Sequence, residues 1–193
     1  MAILGRLLMN RRAGETGLAW NQGSLAGPEI LRVGSPAFAD GGAMPRELAG
    51  RRAGGQNVSP ALNWTEQPAD TAQLLLFVED VDAPTSKPFV HCVALLAPDV
   101  VGGELAAGAL ARDKPAAGVT LLRGQMGSGY RGPEPIKGHG PHRYVFQLFA
   151  LGAPLPEDVE GTPIAGVPAR RIPTLVADGS LLVRGRLTGT YER

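Results

Sequence analysis

The clearest signal in this chain is a set of apolar runs with the length and spacing of strands. Leu74-Leu75-Leu76-Phe77-Val78 is continuously apolar and ends at Glu79-Asp80. Phe89 to Leu96 places Phe89, His91, Val93 and Leu95 on one alternating face, and Val90, Cys92, Ala94 and Leu96 on the other. A strand that is apolar on both faces is covered on both, so His91 is expected to be buried with it. His142 to Leu151 is the most regular run, with His142, Tyr144, Phe146 and Leu148 opposite Arg143, Val145, Gln147 and Phe149. Glu29 to Val33, closed by Gly34-Ser35-Pro36, and Leu181 to Tyr191 complete the predicted strands. Trp20 to Gly23 reads as a turn, roughly Ala39 to Pro60 as a long loop, and residues 102–126 as glycine-rich excursions. Pro156 to Asp178 is expected to hold one or two short helices stopped by Gly179.

Composition sharpens this picture. The chain has 27 glycines and 17 prolines in 193 residues, nearly twice the usual share. Such frequent punctuation excludes a helical bundle and favours many short strands. The length suits one domain over 1–193, large enough to bury a core without a disulfide or metal staple. Nineteen basic against 18 acidic residues give a net charge of +1, so no global field draws in nucleic acid. The lone Cys92 excludes an intramolecular disulfide. No apolar run has the length of a membrane span. An arginine pair follows the N-terminal apolar residues, the reverse of a signal peptide, so a cytoplasmic location is expected.

Three segments could carry chemistry. Asp80 and Asp82, with Pro84 behind them, close a buried strand and would face one way if the chain stayed extended. Paired carboxylates can coordinate a cation or orient a histidine; the alternative is a surface turn accepting backbone N–H bonds. His91 is either a satisfied core histidine or a partner of those carboxylates. The third segment, Gly127 to Tyr144, holds eight glycines and prolines from Gly127 through Pro141, together with Arg131, Lys137, Arg143, His139 and His142. That combination suits a small anion such as phosphate, or else a stiff connection with no ligand. His139 and His142 with His91 and the two aspartates could supply zinc ligands, but a Gly-Pro spacer fixes no ligand geometry, and no metal is expected. Ser59, Ser86 and Ser128 sit in turns with no base beside them, and no nucleophile elbow is present.

Taken in order, Gly55-Gln-Asn-Val-Ser-Pro-Ala-Leu-Asn-Trp64, Asp80-Val-Asp-Ala-Pro84, Phe89-Val-His91, Gly129-Tyr-Arg-Gly-Pro-Glu-Pro135 and Gly138-His-Gly-Pro-His-Arg-Tyr144 resemble a known family. It is the phosphatidylethanolamine-binding protein family, in its bacterial, Raf kinase inhibitor-like branch. The resemblance runs from about Ser35 to Leu151, and Gly185 to Tyr191 also fits. It implies a mainly β fold: a large central antiparallel β-sheet, a smaller second sheet and a few short peripheral helices. It also implies an anion pocket formed by Asp80, Asp82, Pro84, His91, Gly132, Pro135, His142 and Tyr144. Val81, Cys92 and Ile136 depart from the family pattern, where proline, tryptophan and a second proline are usual.

The function expected is therefore a non-enzymatic binding protein for a phosphate-like or phospholipid-headgroup-like anion, extending to a kinase- or signalling-related regulator. The competing class is a hydrolase-type enzyme in which Asp80 orients His91 or His142 as a general base. No nucleophile is placed beside either ring, so no catalytic residue and no cofactor is assigned. Expected partners are a small anionic or phosphorylated ligand and a phosphorylated protein segment. A homodimer is left open, and neither nucleic acid nor membrane insertion is expected.

Overall fold

The structure, a computed structural model, describes residues 2–65 and 67–193. Along the chain lie α1 (Ala2–Leu8), β1 (Val33–Gly34), β2 (Leu62–Trp64), β3 (Gln73–Asp80), β4 (Phe89–Leu96), α2 (Pro98–Val101), β5 (Glu104–Leu105), β6 (Val119–Leu121), β7 (Arg123–Gly124) and β8 (Gly127–Ser128). Then follow β9 (His142–Leu151), β10 (Asp158–Val159), β11 (Thr162–Pro163) and β12 (Leu181–Tyr191). Five strands form the main antiparallel sheet in the order β12-β9-β3-β4-β6, and β1-β2-β5 form a smaller one. This is the mainly β architecture expected from the apolar runs. Among the described residues no helix is long and apolar enough to cross a membrane.

The main sheet is buried on both faces because its long strands are apolar at odd and even positions alike. Leu74, Leu76 and Val78 of β3 pack with Phe146 and Leu148 of β9 in one core, which the small sheet covers through Leu62, Trp64 and Leu105. Leu75 and Phe77 pack with Val145 and Phe149 in a second core, covered by Leu18, Trp20, Leu25 and Ile172. Burying a side chain of this size is worth about 1.5–3 kcal/mol, so each face is a substantial source of stability.

One irregularity sets up the site. Val78 pairs with Cys92 but Glu79 pairs with Val90, so His91 is the extra residue of a β-bulge. The bulge rephases β4: Val90 packs in the same core as Val93 and Leu95, while Cys92, Ala94 and Leu96 lie in the other. Strict alternation placed His91 with Val93 and Leu95. The bulge instead turns its ring toward Tyr144, 5.1 Å away between centroids, on the opposite face.

Other expectations also change. Glu29 to Val33 is not a strand: only Val33–Gly34 pair, with Trp64 and Asn63. Residues 102–126 contain β5, β6 and β7 as well as turns. The segment 156–178 does hold short helices, but of 3-10 type, at Ile164–Gly166 and Ala169–Leu175, where Pro168 and Pro173 disfavour a longer α-helix. The loop from 39 to 60 carries 3-10 turns at Arg46–Leu48 and Arg51–Ala53 and folds back onto the 130s, where Gly50 N–H donates to the Pro133 carbonyl at 3.0 Å.

Candidate functional site

The ends of β3, β4 and β9 meet at one corner of the main sheet. Asp80 pairs with Tyr144 on one side and with Phe89 on the other, which brings its carboxylate between β4 and β9. Asp80 Oδ2 lies 2.7 Å from His142 Nδ1 and 4.0 Å from His91 Nε2. Asp80, His91 and His142 are buried, as is Tyr144. His91 and His142, separated by 51 positions, thus converge on one carboxylate oxygen.

His139 extends the cluster. Its Nδ1 is 2.7 Å from His142 Nε2, and its Nε2 faces the carbonyls of Leu8 at 2.8 Å and Arg11 at 3.2 Å. His139 and His142 are therefore joined ring to ring. Among the described residues no group of three or more His, Cys, Asp or Glu side chains has a metal-holding arrangement.

In front of Asp80, His91 and His142 lies a cavity of about 570 Å³. Its floor also includes Ala83, Pro84 and Phe89; Pro135 and Ile136 form a wall, and Leu4 and Met126 form part of the apolar rim. Arg52, Arg131, Lys137 and Arg193 bring positive charge, against Glu134 and Asp80. Glu134 is bonded to Arg131 at 2.7 Å and Asp80 to His142, so both lining carboxylates already have partners. The lining therefore holds more basic than acidic side chains.

The histidines present different groups to this space. His91 Nδ1 is 2.6 Å from the Arg131 carbonyl, which can only accept, so this nitrogen carries the hydrogen. The neutral ring then offers a bare Nε2. Burial pushes His91 below its ordinary value, outweighing the Asp80 charge, which favours the protonated form. The Tyr144 hydroxyl is buried without a hydrogen-bond partner among the described residues. Burial, reinforced by the Asp80 charge, keeps that hydroxyl un-ionised.

Three of the residues assigned from sequence do other work. Asp82 does not face the cavity beside Asp80. The Asp82 N–H donates to Asp80 Oδ1 at 2.8 Å, which bends the chain, and the Asp82 carboxylate accepts from Arg143 N–H at 2.8 Å and Nε at 2.9 Å. Arg12 adds a contact at 3.1 Å. Although burial pushes the Asp82 carboxyl upward, the bonds to Arg143 and Arg12 hold it below its ordinary value. Gly132 donates its N–H to Asn57 Oδ1 at 2.8 Å and lies so close to the Leu48 carbonyl that a Cβ would collide with it. It joins two loops and does not line the cavity. Tyr144 forms the layer behind the histidines. Asp80, Pro84, His91, Pro135 and His142 do line the cavity.

Arg52, Arg193, Leu4 and Phe89 were not anticipated. Phe89 lies next to the His91 ring, 5.0 Å between centroids, and its place at the start of β4 was a usable signal. The other three arrive through loop and terminal packing that no local pattern encodes.

With this geometry in view, comparison with known proteins is informative. The profile of the family described as phosphatidylethanolamine-binding protein matches residues 34–192. A UPF0098 protein of Mycobacterium bovis is 34% identical over 165 residues, covering 85% of this chain and 71% of the relative. LppC of Mycobacterium tuberculosis is 35% identical over 165 residues, covering 85% of this chain and 73% of the relative. Among solved structures, Escherichia coli YbcL, described as a new member of the mammalian PEBP family, superposes with a TM-score of 0.72 at 26% identity, covering 84% of this chain and 98% of its own.

Proposed function

This chain belongs to the phosphatidylethanolamine-binding protein family, and we propose that it is a non-enzymatic cytoplasmic binding protein whose cavity takes a small anion of the phosphate or phospholipid-headgroup kind. The observation that carries this reading is the charge balance of the cavity. Glu134 is ion-paired with Arg131 and Asp80 is hydrogen-bonded to His142, while Arg52, Lys137 and Arg193 remain as surplus cations. An anion arriving at His91 Nε2 meets a bare nitrogen, so binding is coupled to uptake of one proton, either by the ring or with the ligand. The same chemistry would hold a phosphorylated protein segment at the rim, the route by which such a protein would act as a regulator.

The hydrolase alternative has less support. A general base needs a free nitrogen near the substrate, and both nitrogens of His142 are engaged, by Asp80 and by His139. His91 offers a free Nε2, but no serine, cysteine or threonine side chain lines the cavity.

The test is calorimetric titration of phosphate and of sulfate near pH 6, repeated in buffers of different ionisation enthalpy. Expected are weak 1:1 binding, since a small anion offers few contacts, and uptake of a proton with sulfate. Because burial lowers His91 and a bound anion raises it, affinity must rise as pH falls. A flat trace to tens of millimolar, about the weakest affinity that few contacts allow, removes the anion pocket.

A further inference from the structure

The contacts among Asp80, His142 and His139 fix a hydrogen count. Leu8 and Arg11 offer carbonyl oxygens to His139 Nε2, and a carbonyl only accepts, so that nitrogen carries a hydrogen. The His139 Nδ1 to His142 Nε2 contact at 2.7 Å needs one hydrogen between two nitrogens. The His142 Nδ1 to Asp80 Oδ2 contact, also 2.7 Å, needs another. Three contacts in series require three hydrogens. A carboxylate and two neutral imidazoles supply only two, one on each ring. With two, a pair of lone-pair-bearing atoms would face each other at hydrogen-bond distance, and that contact would open.

We propose that His139 is a positioning residue that obliges this array to hold a third proton, so that His142 is an imidazolium paired to Asp80 and the charge of the pocket is set by a ring that does not line it. The proton resides on imidazole because imidazole is a stronger base than carboxylate. It resides on His142 because that ring touches the carboxylate, whereas His139 meets two carbonyls. The array is then neutral overall, and Asp80 contributes no uncompensated negative charge opposite an incoming anion.

The surrounding groups are arranged compatibly. From β4 comes the His91 ring, which presents a bare nitrogen 4.0 Å from Asp80 Oδ2. From β9 comes the un-ionised Tyr144. From the N-terminal segment come Arg11, through its carbonyl, and Arg12, which donates to the His139 and Pro141 carbonyls and pairs with Asp82. Asp82 is taken up by Arg143, which also meets Glu15. From the loop and the C-terminal segment come Lys137 and Arg193, which line the cavity with His142, and Glu134, held by Arg131. Among the described residues no second carboxylate is free to share the His142 charge. His139 also docks the end of α1 and the residues just after it, and α1 carries Leu4 to the cavity rim, so loss of the third proton would loosen that helix as well.

This proposal rests on the anion-pocket reading only for its effect on affinity; the hydrogen count stands without a ligand. The test begins with nitrogen-15 NMR of the imidazoles in the wild-type protein, whose three histidines make assignment direct. Near pH 7.5, about one unit above the ordinary imidazole value, His142 is expected to carry hydrogen on both nitrogens, His139 on Nε2 alone and His91 on Nδ1 alone. A bare nitrogen on His142 overturns the proposal. The second arm is His139→Phe, which keeps a ring and removes both nitrogens. Near pH 7.5 it should strip His142 of its second hydrogen and weaken sulfate binding roughly tenfold, with much less effect near pH 5.5, where imidazoles charge regardless. Equal weakening at both pH values, or an unchanged His142 spectrum, overturns the positioning role. If the variant does not fold, the wild-type spectrum alone decides. Absence of sulfate binding with the expected wild-type spectrum counts against the anion pocket and supports the array.

Discussion

Asp80 and Asp82 show how far apart two neighbouring carboxylates can be driven. Asp80 uses Oδ1 to accept the Asp82 N–H and turns Oδ2 toward the histidines; the resulting bend sends Asp82 to Arg143 and Arg12. Asp82→Asn is therefore expected to reduce stability by about 2 kcal/mol near neutrality, from loss of charge-assisted bonds at a buried site. Because the Asp82 carboxyl lies below its ordinary value, its contribution is present above the unfolded value and is lost as pH falls through the folded one. Thermal melts of the two proteins should accordingly differ at pH 7 and converge as the pH falls well below the ordinary aspartate value of about 3.9; a gap independent of pH would refute this role. Side-chain chemistry at this scale was partly legible. Alternation put His142 and Tyr144 on one strand face and the family resemblance set Asp80 beside them, whereas the divergence of Asp82 depends on which arginine reaches it across 61 positions.

At the scale of the element, β4 is where the sequence pattern misled. Its alternation is regular in composition, because every residue but His91 is apolar, so nothing in it marks a bulge. The cause lies in contacts from another segment. The His91 carbonyl accepts the Arg131 N–H at 3.1 Å, the Val90 N–H donates to Gln125 Oε1 at 3.3 Å, and the Val90 carbonyl accepts the Gln125 N–H at 3.3 Å. These bonds satisfy strand-edge groups that the bulge removes from the ladder. Gln125→Ala should cost about 1 kcal/mol or less, while accelerating hydrogen exchange at the Val90 amide well beyond the global change. Unaltered protection at Val90 would show that the bulge needs no such brace. The short strands within 102–126 were missed for a related reason: with two or three residues each, they pair because tertiary packing presents a partner, not because of their own propensity.

For the whole molecule, the main sheet separates two cores, and the chain supplies a reporter for each. Trp64 lies in the core with Cys92, and Trp20 in the opposite one. If 1–193 is a single cooperative domain, denaturant curves followed by Trp64 in Trp20→Phe, and by Trp20 in Trp64→Phe, should share the same form of transition once corrected for stability. Two resolved steps would mean that the faces unfold separately. Cys92 gives a third view. It is fully buried, and burial pushes its thiol up to about 12, so a thiol reagent should label it only across that same transition. Labelling of the native protein within minutes would contradict this packing. The abundance of glycine and proline foretold many short strands, and the apolar runs foretold a sheet covered on both faces. The layout of the loops that close the cavity, Arg52 among them, depends on long-range packing such as the Gly50–Pro133 contact.

The bulge at His91 also has a consequence for protein design. A pocket transplanted onto an idealised antiparallel sheet would receive Asp80, His142 and Tyr144 correctly from regular pairing. His91 would be delivered to the wrong side, among Val93 and Leu95. The grafted unit must therefore include the irregular strand together with the Gln125 and Arg131 backbone that supports it. A designer who smooths that strand would keep every side chain and lose the constellation.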